Sequence, residues 1–179
     1  MINWNDFEHI HVIKKLKHVL HAWWNIDIVF TDERGHLKGL EGDKVNYANP
    51  AVNYLVNKES SQADLATVVS ASIEKLRQTN GKCDLQKWEL AGFDMCVFPI
   101  IIENDYVGSV TALGFFKDGN FAQSIAEVQN KLAAIGCSSE LIEKSVKKLQ
   151  YLDETNTTHF TELVELVSQE IVTLHVEIS

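Results

Sequence analysis

The stretch Phe93–Phe116, FDMCVFPIIIENDYVGSVTALGFF, decides how the chain is read. Two dense apolar runs of strand length flank Glu103-Asn104-Asp105-Tyr106, a short polar turn. Strands joined by so tight a connection must run antiparallel. Alternation separates Cys96, Phe98 and Ile100 from Met95, Val97 and Pro99, and on the return strand Ser109, Thr111 and Leu113 from Val110 and Ala112. Pro99 cannot donate to a ladder, so one edge of the first strand is expected to lack a partner there. Gly108 and Gly114 mark bends or close approaches.

Working outward, KCDLQKWEL (82–90) reads as a strand before this hairpin. Further upstream, Ile26, Ile28 and Phe30 alternate with Asp27, Val29 and Thr31, a turn follows at Asp32-Glu33-Arg34-Gly35, and His36–Leu40 returns. That makes a second hairpin and a five-stranded antiparallel sheet. The helices surround it in sequence. Residues 4–24 place Val12, Ile13, Leu16, Val19, Leu20, Trp23 and Trp24 on one face, with His11, His18, His21 and lysines largely opposite. Pro50 opens a short helix. Ser61-x-x-Asp64 resembles a capping box for a longer helix that stops at Thr79-Asn80-Gly81. Phe121, Ile125, Val128, Leu132 and Ile135 share a face before the stop at Gly136, and a short helix is expected over 139–149. The last helix is expected to start at Thr157 or Thr158. The order predicts an α+β fold with helices on one face of the sheet.

Composition bounds the function. The 179 residues are 45% hydrophobic and 23% charged, enough for one globular core. A net charge of −9 repels phosphate backbones, so direct nucleic-acid contact is not expected. No apolar run reaches the ~18 residues a membrane span needs, and the N-terminus lacks signal-peptide character. Membrane contact is therefore not expected, and a cytoplasmic location is. Cys83, Cys96 and Cys137 are widely spaced and read as free thiols rather than a disulfide framework. Neither G-x-S-x-G nor H-E-x-x-H occurs, so no catalytic residue is assigned. The lysines beside His11, His18 and His21 oppose a cation, so no metal ligand is assigned either.

The segment from Trp88, WELAGFDMCVFPIIIENDYVGSVTALGFF, resembles the PocR-type sensory domain, a relative of the PAS and GAF domains of bacterial signalling proteins. Ala91-Gly92-Phe93 match the end of the family's Cys-His-Ala-Gly-Leu element, Pro99-Ile100 its strand end, and Val107-Gly108 its last strand. The tail, 128–171, is similar to the family's paired helices and exit helix. Where the family carries Cys-His, this chain has Glu89-Leu90, so no metal or redox role of those positions transfers. The resemblance implies a PAS/GAF-like sheet and a small-molecule input domain over 1–155, followed by an exit helix over 156–179.

In that last helix Phe160, Val164, Val167, Ile171, Leu174 and Ile178 recur at a period of 3.5, the seam of a left-handed coiled coil. Two uses of this seam stay open: pairing with a second copy in a homodimer, or packing back on the chain's own domain, which Leu163, Leu166 and Val172 favour for its first half. The helix reaches Ser179 with no stop residue, and the segment is expected to lead into an output module. A ligand pocket between sheet and helices would draw on aromatic, polar and thiol side chains of the sheet. The candidates are Trp24, Asp27, His36, Trp88, Glu89, Cys96, Phe98, Ser109 and Thr111. Ligand and cofactor are not named by the sequence. A ligand-free dimerisation or docking module, and a small enzyme, are the alternatives.

Overall fold

The computed structural model describes residues 11–38, 47–117 and 120–178 of the chain, with side chains from 13 to 175 within those ranges. The elements are α1 (His11–Trp24), β1 (Asp27–Asp32), β2 (Leu37–Lys38), α2 (Pro50–Val56), α3 (Glu59–Thr79), β3 (Asp84–Lys87), β4 (Asp94–Ile102), β5 (Asp105–Phe116), α4 (Phe121–Ala134), α5 (Ser139–Val146), β6 (Gln150–Tyr151) and α6 (Glu154–Ile178). Residues 4–10 of the expected first helix and 39–40 of the expected second strand lie outside the described residues.

The hairpin at the centre forms as its sequence requires. Glu103 and Asn104 both take positive φ, 50° and 68°, the pair of left-handed residues that a two-residue hairpin turn matching strand twist needs. Strands β4 and β5 pair from Ile102↔Asp105 to Asp94↔Phe115. Two register shifts bend them, one between Ile100 and Ile101 and one between Asp94 and Met95. At the second shift Gly114, φ 93°, is the extra residue, and a side chain would be strained in that conformation.

The open sheet has the order β2-β1-β5-β4-β3, and its pairings along this path are antiparallel. The short β6 pairs in parallel with Phe115 and Phe116 of β5, beyond the end of β1 at Leu113. Sequence reading did not anticipate β6, because two residues carry no period. The expected α+β architecture with an antiparallel sheet is observed.

The placement of helices differs from the expectation of a single covered face. One face carries Val29, Met95, Val97 and Leu113 under α2, α3, α4 and α5. The other carries Ile28, Phe30, Cys96, Phe98, Ile100, Val110 and Ala112 under α1 and α6, which supply Ile13, Leu20, Trp24, Phe160, Val164, Val167 and Ile171. Both alternating sets of β4 are apolar, so both faces need a cover; apolar surface left in water costs about 25 cal/mol per Å². The terminal helices provide it.

Helix ends follow local chemistry, and two expected starts differ from those observed. Asn49 caps α2 by accepting from Ala51 N at 2.9 Å, and Ser138 caps α5 by accepting from Leu141 N at 3.2 Å. Gly136 ends α4 in a Schellman arrangement, with Cys137 N donating to Leu132 O at 3.0 Å. The expected capping box at Ser61 is not formed. Helix α3 already starts at Glu59, Ser61 is buried within it, and Asp64 accepts from Trp88 Nε1 at 2.7 Å instead. Helix α6 starts at Glu154, ahead of Thr157, after Asp153 Oδ1 accepts from Asn156 N at 2.7 Å.

Candidate functional site

Pro99 explains where the structure opens. Strand β3 pairs only with Asp94–Val97, so β4 from Phe98 onward has no neighbour on that side. The missing N–H of Pro99 leaves no donor stranded at this bare edge. The chain before β3, the C-terminal end of α3, the β4–β5 hairpin and α6 surround the gap and enclose an open cleft of about 1000 Å³. Phe98, Pro99, Ile101 and Val172 give it an apolar floor. Ser168, Gln169 and Thr173 line it from α6, while Asn80 and Asn104 line it from the two turns. Its charged groups are Arg77, Lys82 and Glu165.

Two contacts shape this cleft. Arg77 lies over the ring of Tyr106, with Cζ 5.5 Å from the centroid, and its guanidinium also pairs with Glu74. Ser168 Oγ donates to Pro99 O at 3.1 Å, which ties α6 directly to the unpaired stretch of β4. A molecule entering here would touch the fixed sheet and the terminal helix together.

The residues singled out from sequence do not converge. Phe98 alone lines this cleft, and its ring also packs in T-shaped geometry on Phe160 at 6.0 Å. Trp24 and Trp88 are core residues whose indole N–H groups are used: Trp24 Nε1 donates to Asn156 Oδ1 at 3.3 Å and Trp88 Nε1 to Asp64. Cys96 is buried against α6. Ser109 and Thr111 face the α2–α5 side and are fully buried; Thr31 Oγ1, Ser109 Oγ and Thr111 Oγ1 form a hydroxyl chain with steps of 2.6 and 2.8 Å. Thr31 Oγ1 donates onward to Asp32 O at 3.1 Å, so the chain closes on the protein itself.

Asp27 is a structural anchor. Fully buried, it accepts from Ala48 N at 2.6 Å and Asn49 N at 3.0 Å, and His21 Nε2 stands 2.9 Å from its Oδ1. His21 therefore faces β1 rather than the open solvated face expected of it. Asn49 extends the tether by donating from Nδ2 to Ser145 O at 3.1 Å. His36 is exposed, pairs with Asp32 at 3.6 Å, and borders a separate groove of about 1180 Å³ along α3. Glu89 is 80% exposed and pairs with Lys131 at 2.9 Å. Lys131 also meets Glu127, which Lys87 reaches at 2.9 Å. The hydrogen bond from Lys87 holds the Glu127 carboxyl below the usual range, and the bond to Glu89 holds Lys131 above its own.

The terminal seam is resolved by burial. Phe160, Val164, Val167 and Ile171 are no more than 1% exposed and lie on the chain's own sheet, so of the two open uses the structure takes internal packing for these four. A homodimer through them would require α6 to leave the sheet. Leu174 is partly buried in the same layer, and the side chain of Ile178 lies outside the described residues.

Sequence reading missed Arg77, Asn80, Lys82, Tyr106, Glu165, Ser168 and Gln169. They come from three distant segments and share no spacing. Pro99 was the available signal, because an unpaired edge inside a sheet leaves room beside it.

Among the described residues no three His, Cys, Asp or Glu side chains gather as a metal site, and no helix is long and apolar enough to cross a membrane. No family model, curated protein or solved structure matches the chain. The PocR-type likeness therefore rests on its own residues. Within it, Ala91-Gly92-Phe93 form a tight turn, with Gly92 N donating to Trp88 O at 2.8 Å and Trp88 N to Phe93 O at 2.9 Å.

Proposed function

We propose that this chain is a regulatory input domain that binds a small amphipathic molecule in the cleft beside Pro99 and answers by changing how α6 lies on the sheet. The observation that carries the reading is the shared wall. The helix that presents Ser168, Gln169 and Thr173 to the cleft also buries Phe160, Val164, Val167 and Ile171 against β4 and β5. A ligand biases a two-state element only by its differential affinity for the two states, and a site half built from α6 supplies that difference.

The lining suits binding. An apolar floor with amides and hydroxyls around it orients a ligand by a few hydrogen bonds. Lys82, beside an Arg77 that the ligand would share with Glu74, favours an anionic group at that end. The PocR-type resemblance points the same way, toward a sensor in a signalling protein or transcription regulator.

A thermal-shift screen of small carboxylates and other amphipathic anions tests this. A ligand at 100 times its Kd raises stability by about 2.7 kcal/mol. Binding should be lost in Gln169→Trp, which fills the cleft, and hydrogen exchange along α6 should change on binding. Compounds that stabilise both proteins equally, or none that stabilises the wild type, would overturn the reading. The alternative of a ligand-free docking module is favoured by Trp23 and Leu166, 63% and 52% exposed on the two helices of the outer layer. It predicts a dimer by sedimentation that Leu166→Ser or Trp23→Ser dissociates.

A further inference from the structure

Two of the three cysteines are brought together by a route the sequence does not display. In the β3–β4 ladder Asp84 pairs with Val97 and Leu85 with Cys96. Cys83, one residue before β3, therefore stands diagonally across from Cys96 on the same face. Both belong to the apolar layer beneath α6. Their exposure differs: Cys96 is buried, whereas Cys83 is half-open, directly after Gly81 and Lys82 of the cleft wall. Cys137 is far from both, at the end of α4 in the opposite layer.

We propose that Cys83 and Cys96 form a redox site, in which a hydroperoxide oxidises Cys83 and Cys96 resolves it to an intramolecular disulfide. The Cys83 thiolate attacks the peroxide's terminal oxygen, the O–O bond breaks, and the leaving alkoxide or hydroxide takes a proton, giving the Cys83 sulfenic acid and an alcohol or water. The Cys96 sulfur then attacks the sulfenic sulfur; the S–S bond forms, and the hydroxyl leaves as water with the Cys96 proton. Two thiols lose two hydrogens, and one peroxide is reduced.

The division of labour follows from the surroundings. The hydrogen bond from Cys96 favours the Cys83 thiolate and pulls that thiol down to about 7, against the opposing effects of burial and of Glu165 and Asp84. Donating that bond, together with burial, pushes Cys96 up. A half-open, readily ionised sulfur next to a protected partner is the arrangement of an attacking and a resolving thiol. Diagonal neighbours in a ladder have Cα atoms roughly 7–8 Å apart, slightly beyond the ~7 Å a disulfide spans at rest. The bridge therefore needs the segment before β3 to move inward. That segment carries Gly81 and Lys82, so oxidation reshapes the cleft. The proposal does not depend on ligand binding there.

The test treats the full chain with hydrogen peroxide or tert-butyl hydroperoxide at pH 7 and reads intact mass, then peptides without reduction. The expected product is a monomer lighter by two hydrogens, with a Cys83–Cys96 cross-linked peptide, restored by dithiothreitol, and with Cys137 still alkylated after denaturation. Cys96→Ala should stop at a Cys83 sulfenic acid trapped by dimedone, and Cys83→Ser should leave Cys96 unoxidised. Circular dichroism melts show whether each variant is folded; for one that is not, the wild-type cross-link alone decides. Cys83 oxidised no faster than Cys137, a disulfide between two chains, or over-oxidation of Cys83 with Cys96 still free would overturn the proposal.

Discussion

Replacing Phe160 with alanine separates the two uses of the terminal seam. The ring is 1% exposed and sits between Phe98 and Phe115, with centroids 6.0 and 5.2 Å away. Truncating a buried phenylalanine costs about 3–5 kcal/mol through lost transfer energy and the cavity left behind. Two aromatic neighbours, each adding about 0.5–1.5 kcal/mol beyond area, place this site in the upper half of that range. For a chain of this length, about 4 kcal/mol lowers the midpoint of thermal unfolding by about 8–16 °C. Urea unfolding followed by tryptophan fluorescence, at protein concentrations spanning two decades, measures both the loss and its order. Internal docking gives the full loss at every concentration. Leu166→Ala, at an exposed position of the same helix, should stay within about 0.5 kcal/mol. A loss under about 1 kcal/mol for Phe160→Ala, or a wild-type midpoint that climbs with concentration while the variant's does not, would refute the docking argument and restore the seam to a dimer.

Three other outcomes are expected. Asp27→Asn turns an acceptor of two backbone N–H groups into a side chain whose amide must oppose one of them; the loss should be about 2–3 kcal/mol in urea unfolding, with faster exchange at Ala48 and Asn49. Gly35 has φ 80°, and an added Cβ would lie 2.3 Å from the backbone oxygen of Ala66; Gly35→Ala should lower stability by about 1–3 kcal/mol, read by thermal melts, because the β1–β2 turn must lift from α3. Iodoacetamide labelling of Cys83 should rise through pH about 7, and Cys96→Ala should move that midpoint upward by removing the hydrogen bond. The linked stability has a definite sign: a thiol held below its ordinary 9.0 favours the folded state fully only above that value, and the contribution fades as pH falls through about 7.

Much of the fold was legible because period and turn chemistry are local. The alternation in 93–116 and the Glu103-Asn104 turn marked the central hairpin, Asn80 and Gly136 the ends of two helices, and Pro99 a bare strand edge. Where reading failed, a distant partner decided. Asp64 looked like part of a cap until Trp88, far along the chain, claimed its carboxylate. Asp27, Ser109 and Thr111 looked like polar groups awaiting a ligand, yet each is satisfied by the chain's own N–H or hydroxyl groups. A buried polar residue and a binding residue have the same letter; only its neighbours separate them.

By itself the sequence determined the longer strands and helices, though not the two-residue β6, and that α6 has one continuous apolar face, because side-chain direction along a helix or strand is set by backbone geometry alone. Which surface that face covers was decided by the tertiary structure, since a 3.5-residue period serves a partner helix and a sheet equally well. The open cleft beside Pro99 and the meeting of Cys83 with Cys96 were decided there too. Both depend on where β3 stops along β4, and strand register is an energy of pairing between segments that no single segment contains.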